Sequence, residues 1–238
     1  MRIARSKRVP FCAAALLVAT WAVAQPPASL SDEDRSAIQQ LMGSYSRALG
    51  ECRAEDFADL FVPETGWFAS GFRGHIVGRD RLIELVQSER HCIAPAAAGA
   101  GRPGGTNGPT VELAVTPGGV RGVASLGTAE YQDEYAKTSN GWRFASRTVL
   151  IAPEKTAGLD ARELLAIAQL GGSELGDYYE ADQNGVRRLM TSGVRISISG
   201  NEVKGRAFLK DGGYEDRVYE KVGRGEWRVK SSVHVAAP

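Results

Sequence analysis

Apolar residues recur at helical spacing in the first third of the chain. A stripe repeating every three or four positions predicts a helix over 32–49, which Ser31 and the acids after it begin favourably. Similar spacing predicts helices over 54–61 and 79–91. The aromatic content of 65–72 indicates a first strand, and 74–78 is typical of a short turn or a second strand.

Strand-like runs dominate the remainder. Runs over 110–116, 120–137 and 142–152 are separated by Gly-rich turn sequences and predict a three-strand meander. The preceding segment, 92–108, is almost entirely Ala, Gly and Pro, which predicts a long loop or a lid. A capping-box-like pattern at Asp160 predicts a further helix that ends near Gly171.

The end of the chain resembles the meander that precedes it. An ungapped shift of 83 residues places Tyr131 on Tyr214 and Asp133 on Asp216, and a shift of 85 relates the segments after the last turn. We therefore predict a duplicated three-strand meander, with chance similarity between hairpins as the alternative. Because a meander cannot bury its apolar face alone, the second copy either packs on the first or is closed by the helix after Asp160.

The first 24 residues have the pattern of an export signal. A basic start precedes an apolar run that ends on the small residues Ala22 and Ala24, and this run of about 16 residues is short for a membrane span. We expect a signal peptide over 1–24, a first domain over 25–153 and a C-terminal helix with the repeated meander over 154–238. The expected location is periplasmic or secreted, with no membrane anchor after cleavage.

Composition and charge exclude several classes of function. The chain is 43% hydrophobic and 24% charged, which is typical of a folded soluble domain. Its formal net charge of +1 would become −3 after loss of the four basic signal residues, so no nucleic-acid partner is expected. The sequence lacks a phosphate-binding Gly-rich loop, a Gly-x-Ser-x-Gly elbow, His-Glu-x-x-His and Cys-x-x-Cys. We predict neither a cofactor nor a metal.

Export would leave Cys52 and Cys92 as an even pair in an oxidising compartment. A single disulfide is the first interpretation. Two reduced, buried thiols are the alternative, and the spacing does not separate the two.

Two groups of residues could move protons. His91 is the leading base because the unperturbed pKa of histidine lies near neutrality, although a histidine at a helix end often only binds backbone carbonyls. Tyr131 and Asp133 share one strand face, and Arg147 lies near them if the intervening turn is tight. Such a row could be an acid–base site, or a cross-strand network on the outer face, which its repetition favours. Tyr45, on the buried stripe, is either a core residue or a pocket donor.

Several short motifs carry a resemblance to a known family: 45–49, the 57–61 helix, 78–80, Arg90-His91, Thr106-Asn107 and 141–144 with Arg147. Together they resemble the SnoaL-like branch of the NTF2-like superfamily over roughly 31–152. The resemblance implies an α+β cone in which three N-terminal helices cover a curved antiparallel sheet and enclose a mostly apolar pocket. Such pockets host cofactor-free dehydratases, isomerases and lyases, and also members without catalysis.

The sequence departs from this family in two places. About 14 residues separate His91 from Thr106, and Gly50 stands where dehydratases of the superfamily carry the Asp that pairs with the pocket His. The same superposition brings position 50 close to His91, so the resemblance implies a Cys52–Cys92 disulfide.

These observations predict an exported, cofactor-independent lyase, dehydratase or isomerase that acts on an apolar, aromatic substrate such as a lignin-type diaryl compound. The alternative is a non-catalytic binding or assembly module, and a homodimer is left open. The expected catalytic set is His91, Asp133, Tyr131, Tyr45 and Arg147. The expected substrate-binding set is His75, Asn107, Trp67 and Phe72.

Overall fold

The computed structural model describes residues 29–93, 110–150 and 158–237. The predicted signal peptide, Asn107 and nearly all of the predicted 92–108 loop lie outside the described residues. Within these three ranges, no helix is both long and apolar enough to cross a membrane.

The helices are α1 (Asp32–Gly50), α2 (Ala54–Ala58), α3 (Arg79–Gln87), α4 (Arg90–Ile93) and α5 (Ala161–Ala168). Ser31 caps α1 by accepting a hydrogen bond from the Asp34 amide, as its position predicts. The helix predicted over 54–61 ends early because the chain turns to pair with Phe144. The helix predicted over 79–91 is two helices, separated at Ser88, whose hydroxyl donates to the Leu85 carbonyl.

Twelve strands in the described ranges form two sheets. They are β1 (Trp67–Ser70), β2 (Gly74–Val77), β3 (Thr110–Thr116), β4 (Gly119–Leu126), β5 (Ala129–Thr138), β6 (Gly141–Leu150), β7 (Asp177–Ala181), β8 (Arg187–Ser192), β9 (Val194–Ser199), β10 (Glu202–Phe208), β11 (Tyr214–Gly223) and β12 (Glu226–Val235). The first sheet has the order β3-β4-β5-β6-β1-β2-β8-β7, and the second has the order β12-β11-β10-β9.

The architecture is α+β, as expected, but three details of the prediction were wrong. The large sheet is mixed rather than antiparallel, because β1 pairs with β6 in parallel. The meander has four strands rather than three, because the predicted 120–137 run turns at Gly127, where φ is +62°. The sequence analysis also missed the β7–β8 hairpin, which extends the large sheet beyond β2.

The first meander is formed by β3–β6 and the second by β9–β12, and a helix covers one face of each. The main core lies between α1, α2 and the face of the large sheet that α1 covers, which we call the inner face. A second core joins Leu164 and Ile167 of α5 to Val194, Ile196 and Tyr219. Of the two arrangements predicted for the second meander, the structure shows closure by the helix after Asp160.

The two meanders have corresponding bulges but a different offset from the one predicted. The Val120–Tyr135 pair of β4 and β5 corresponds to the Val203–Tyr219 pair of β10 and β11. The shift is therefore 83 residues before the β10–β11 turn and 84 after it. The cause is the turn itself, which spans 127–128 in the first meander and 210–212 in the second.

Candidate functional site

A buried ion pair lies on the inner face, between β5 and β6. Asp133 and Arg147 are directly opposite each other in the ladder, and both side chains are fully buried. Arg147 Nε and Nη2 donate to the two Asp133 oxygens over 2.9 and 2.7 Å. The Tyr135 hydroxyl also donates to Asp133 Oδ2 over 2.8 Å. Because both carboxylate oxygens are occupied, Asp133 holds Arg147 in place and offers no free base.

Aromatic rings enclose the guanidinium of Arg147. Its central carbon lies 4.1 Å from the ring centre of Tyr45 and 4.3 Å from those of Tyr131 and Phe144. These faces attract the cation, although Nη1 has no hydrogen-bond partner among the described residues. Burial alone would lower the pKa of Arg147, but the adjacent Asp133 carboxylate outweighs it and raises the pKa. Arg147 is therefore a permanent cation.

The phenols beside this pair are neutral. Burial raises the pKa of Tyr45 far above its usual value, and the neighbouring Tyr131 raises it further. Burial likewise raises the pKa of Tyr135, reinforced by the Asp133 carboxylate. A Cβ at position 122 would lie only 2.8 Å from the Tyr135 ring, so Gly122 is what allows this ring to lie against β4. Tyr45 can thus donate a hydrogen bond but cannot act as a base near neutral pH.

A cavity of about 710 Å³ lies next to the ion pair, and Tyr45 and Tyr131 form part of its wall. This volume is in the range of small-molecule sites. The apolar part of the wall includes Leu49, Phe68, Phe72, Ile93, Val149 and Met190. The cavity therefore offers a largely apolar surface that includes two phenols.

Charges on the cavity wall balance. Arg73 pairs with Glu89 at 3.1 Å, and Arg188 pairs with Asp182 at 3.4 Å. In total, the wall contains three arginines and three carboxylates. They are Arg73, Arg90 and Arg188, and Glu89, Glu180 and Asp182. Because the formal charges cancel, the wall does not favour a strongly charged ligand.

Arg73 joins three segments of the wall. Its Nη2 binds Glu89, just before α4, while Nη1 donates to the carbonyls of Leu189 and Met190 on β8 over 3.4 and 3.2 Å. Its backbone amide donates to the hydroxyl of Ser70 at the end of β1. One buried guanidinium thus fixes the β1–β2 turn, the start of α4 and β8 relative to each other.

The structure places His91 outside the cavity wall. Its Nε2 lies 2.8 Å from the carbonyl oxygen of Leu49, in the last turn of α1. Carbonyls in a last helical turn lack an intrahelical partner, so this contact satisfies one of them. The structure does not bring His91 together with Asp133, Tyr131 and Tyr45, and its catalytic role stays a prediction.

The four predicted substrate-binding residues do not lie together. Phe72 is on the cavity wall and 51% exposed. His75 and Trp67 lie instead on the outer face of the sheet, with their rings edge to face at 5.0 Å. They point outward because the cavity faces the other side of β1 and β2. Asn107 lies outside the described residues.

The disulfide that the resemblance implied is present. Cys52 and Cys92 are joined, with their Cα atoms 5.6 Å apart, and the bond ties the end of α1 to α4. The two sulfurs and His91 also lie within metal-binding reach of one another. A zinc site would require both sulfurs as thiolates, and the disulfide removes them as ligands. This cluster does not fit a metal while the bond is intact.

Comparison with known proteins places these features in a class. Residues 31–148 match the family model of the SnoaL-like domain. The chain contains a SnoaL-like domain and belongs to the NTF2-like superfamily.

Solved structures resemble about half of the chain. An NTF2-like protein with a cystatin-like fold from Novosphingobium aromaticivorans is 21% identical over 56% of this chain and 89% of its own, with a TM-score of 0.40. A hexachlorocyclohexane dehydrochlorinase from Novosphingobium barchaimii is 17% identical over 51% and 91%, with a TM-score of 0.38. No curated protein matches the chain.

The sequence analysis missed most of the charged wall. Arg73 and Glu89 carry no local motif, because one lies in a turn and the other between two helices. A signal for the β7–β8 hairpin was available, since Asn184-Gly185 between two alternating runs is a hairpin turn sequence. That signal would have placed Arg188 and Met190 on a strand.

Proposed function

We propose that the chain binds a small, neutral, largely apolar molecule in the cavity beside Tyr45 and Tyr131. The observation that carries this proposal is the composition of the wall: its charges cancel, and most of the remaining surface is apolar. The two phenols would orient a polar atom of the ligand by hydrogen bonding. Aromatic molecules fit this environment because the rings of Phe68 and Phe72 also lie on the wall.

We further propose that the bound molecule undergoes a cofactor-independent lyase, dehydratase or isomerase step, with lignin-type diaryl compounds as one substrate class. Of the three wall carboxylates, Glu89 is the one close enough to Tyr45 to influence the pKa of that phenol; Arg73 binds its Oε1, and Oε2 could accept a proton. Tyr45 and Tyr131 would donate hydrogen bonds to the developing oxyanion. The buried Arg147 would stabilise that negative charge from behind the two rings.

A non-catalytic binding protein is the second candidate. It is favoured by the bidentate Asp133–Arg147 pair, which leaves no free base there, and by the absence of histidine from the cavity wall in the described part of the chain. Both proposals include export of the protein, directed by a signal peptide over residues 1–24.

Binding is tested with N-phenyl-1-naphthylamine, a neutral probe with two aromatic ring systems, a naphthalene and a phenyl, whose fluorescence rises in apolar surroundings. The protein should bind it and melt at a higher temperature in its presence, because a ligand of the native state stabilises that state. Val149→Trp, which fills the cavity, should abolish both effects, whereas Val222→Trp, at an exposed site outside the cavity wall, should preserve them. Absence of binding by the unaltered protein would refute the proposal.

Catalysis is tested separately by deuterium exchange. In D2O, the protein should accelerate exchange at the carbon next to the carbonyl of an aryl ketone such as propiophenone. Glu89→Gln should reduce this rate about a hundredfold, since a positioned general base contributes roughly that much. Probe binding without any catalysed exchange would favour the binding protein.

A further inference from the structure

The β7–β8 hairpin forms one side of the cavity and lies outside the SnoaL-like domain, which ends at residue 148. Residues 180–182, Arg188 and Met190 all line the cavity. Without the hairpin, the wall formed by the domain itself would be open on this side.

The hairpin is firmly attached to the domain. Leu189 on β8 is almost completely buried in the main core. Arg188 donates to the Gln87 carbonyl over 2.9 Å, and Tyr179 on β7 accepts from Arg81 over 2.6 Å. These contacts join β8 and β7 to α3 from two sides.

The close approach of β8 to β2 depends on Gly74. A Cβ at this position would lie 2.0 Å from the Ser192 carbonyl oxygen, and the backbone φ is +71°. Gly74 and Ser192 also form the single paired position of the two strands. The domain therefore carries a backbone feature that fits the hairpin, so the hairpin wall is a fixed part of the cavity.

The hairpin is distant from the phenols along the sheet. Tyr131 lies on β5 and Met190 on β8, and the strand order places four inter-strand spacings between them. This corresponds to about 19 Å along the sheet. We call the wall at Tyr131 and the adjacent Tyr45 the proximal side, and the wall at Met190 and Ala181 on the hairpin the distal side; Phe72 lies in the β1–β2 turn, next to the hairpin in this order.

We propose that the β7–β8 hairpin is the specificity-determining wall of the cavity, with Met190, Ala181 and Phe72 forming a distal subsite for the second ring of an elongated, neutral molecule. The guanidinium carbons of Arg73 and Arg195 lie 5.3 and 4.9 Å from the Phe72 ring centre and hold the ring in place. Because Phe72 is 51% exposed, the part of the ring that these arginines leave open is available for edge-to-face contact with a ligand ring. This proposal rests on the binding function proposed above.

Two matched probes test it: N-phenyl-1-naphthylamine, called the two-ring probe because it carries a phenyl ring besides its naphthalene, and 1-naphthylamine, which has the naphthalene alone. Met190→Ala removes apolar contact from the distal side and should weaken binding of the two-ring probe about tenfold. Binding of 1-naphthylamine should change less than about twofold, because this probe is held at the proximal side. Dissociation constants from fluorescence or calorimetric titration give both values.

A second variant keeps the test decisive if Met190→Ala does not fold. Ala181 is exposed on β7, so Ala181→Phe fits there without disturbing the core and blocks the distal subsite. Ala181→Phe should also weaken binding of the two-ring probe and leave binding of 1-naphthylamine unchanged. Val186→Ala, at an exposed position of the same hairpin that is not on the cavity wall, is the control and should affect neither probe.

The outcomes separate the two proposals. If neither probe binds the unaltered protein, the binding function itself fails. If both probes bind but the hairpin variants weaken them equally or not at all, the distal subsite is wrong and the binding function stands. If the hairpin variants weaken binding of the two-ring probe alone, the distal subsite is supported.

Discussion

Replacement of Asp133 by Asn tests whether the Asp133–Arg147 pair supports the fold or acts as part of the site. Both side chains are fully buried, so the substitution leaves the Arg147 cation without its counter-ion. Breaking a buried pair in this way costs about 3–5 kcal/mol of unfolding free energy. For a chain of this size, that is a fall in melting temperature of roughly 10 °C. Tyr135→Phe removes only one hydrogen bond to Asp133 and should cost about 1 kcal/mol.

Urea denaturation followed by circular dichroism measures these values. Asp216→Asn is the matched control, because Asp216 forms a similar bidentate pair with Arg206 at an exposed position. Its substitution should cost less than about 1 kcal/mol. A loss below about 1 kcal/mol for Asp133→Asn, combined with loss of ketone exchange, would show that Asp133 acts chemically. Our assignment of a positioning role would then be refuted.

Three further predictions concern the disulfide and the histidines. Replacing Cys52 and Cys92 by Ser should lower the unfolding free energy by about 4 kcal/mol, because the bond closes a loop with a sequence separation of 40; a change below about 1 kcal/mol in urea denaturation would contradict this. Burial lowers the pKa of His75, so the unfolded chain takes up a proton more readily than the folded protein. The stabilisation that comes from keeping His75 neutral should be fully present above the unfolded pKa of about 6.5, and the unfolding free energy should fall as the pH drops below that value. The melting temperature measured from pH 5 to 7.5 should therefore vary less for His75→Phe than for the unaltered protein. Identical slopes would contradict the argument. His91→Gln should cost about 1 kcal/mol through the lost Leu49 contact and leave probe binding unchanged, whereas a hundredfold loss of ketone exchange would restore His91 as the base.

The ion pair was predictable from the sequence because its determinants are local. Tyr131, Asp133 and Tyr135 alternate along one strand, so they share a face whatever the rest of the fold does. A tight turn at 139–140 then brings Arg147 opposite Asp133. The disulfide followed from the family resemblance, because spacing alone did not separate a bonded pair from two thiols.

The cavity wall was not predictable in the same way. Arg73, Glu89 and Met190 are far apart in the sequence, and each becomes a wall residue only through packing of a turn, a helix and a hairpin against each other. His75 shows the converse case. Its residue type suggested chemistry, but strand alternation places it on the outer face, because its neighbour Ile76 points into the main core.

The predicted duplication of the meander shows how one residue can change the interpretation of a motif. The ungapped shift placed Asp133 on Asp216 and thereby suggested a sheet network that occurs twice. The β10–β11 turn is one residue longer, and a slip of one residue moves every side chain to the opposite face of a strand. Asp216 is therefore exposed on the outer face, and the residue that corresponds to Asp133 is Arg217, which is buried and pairs with Glu215. Since the second meander carries an arginine where the first has Asp133, the repetition no longer argues that the row beside Arg147 is only a sheet network.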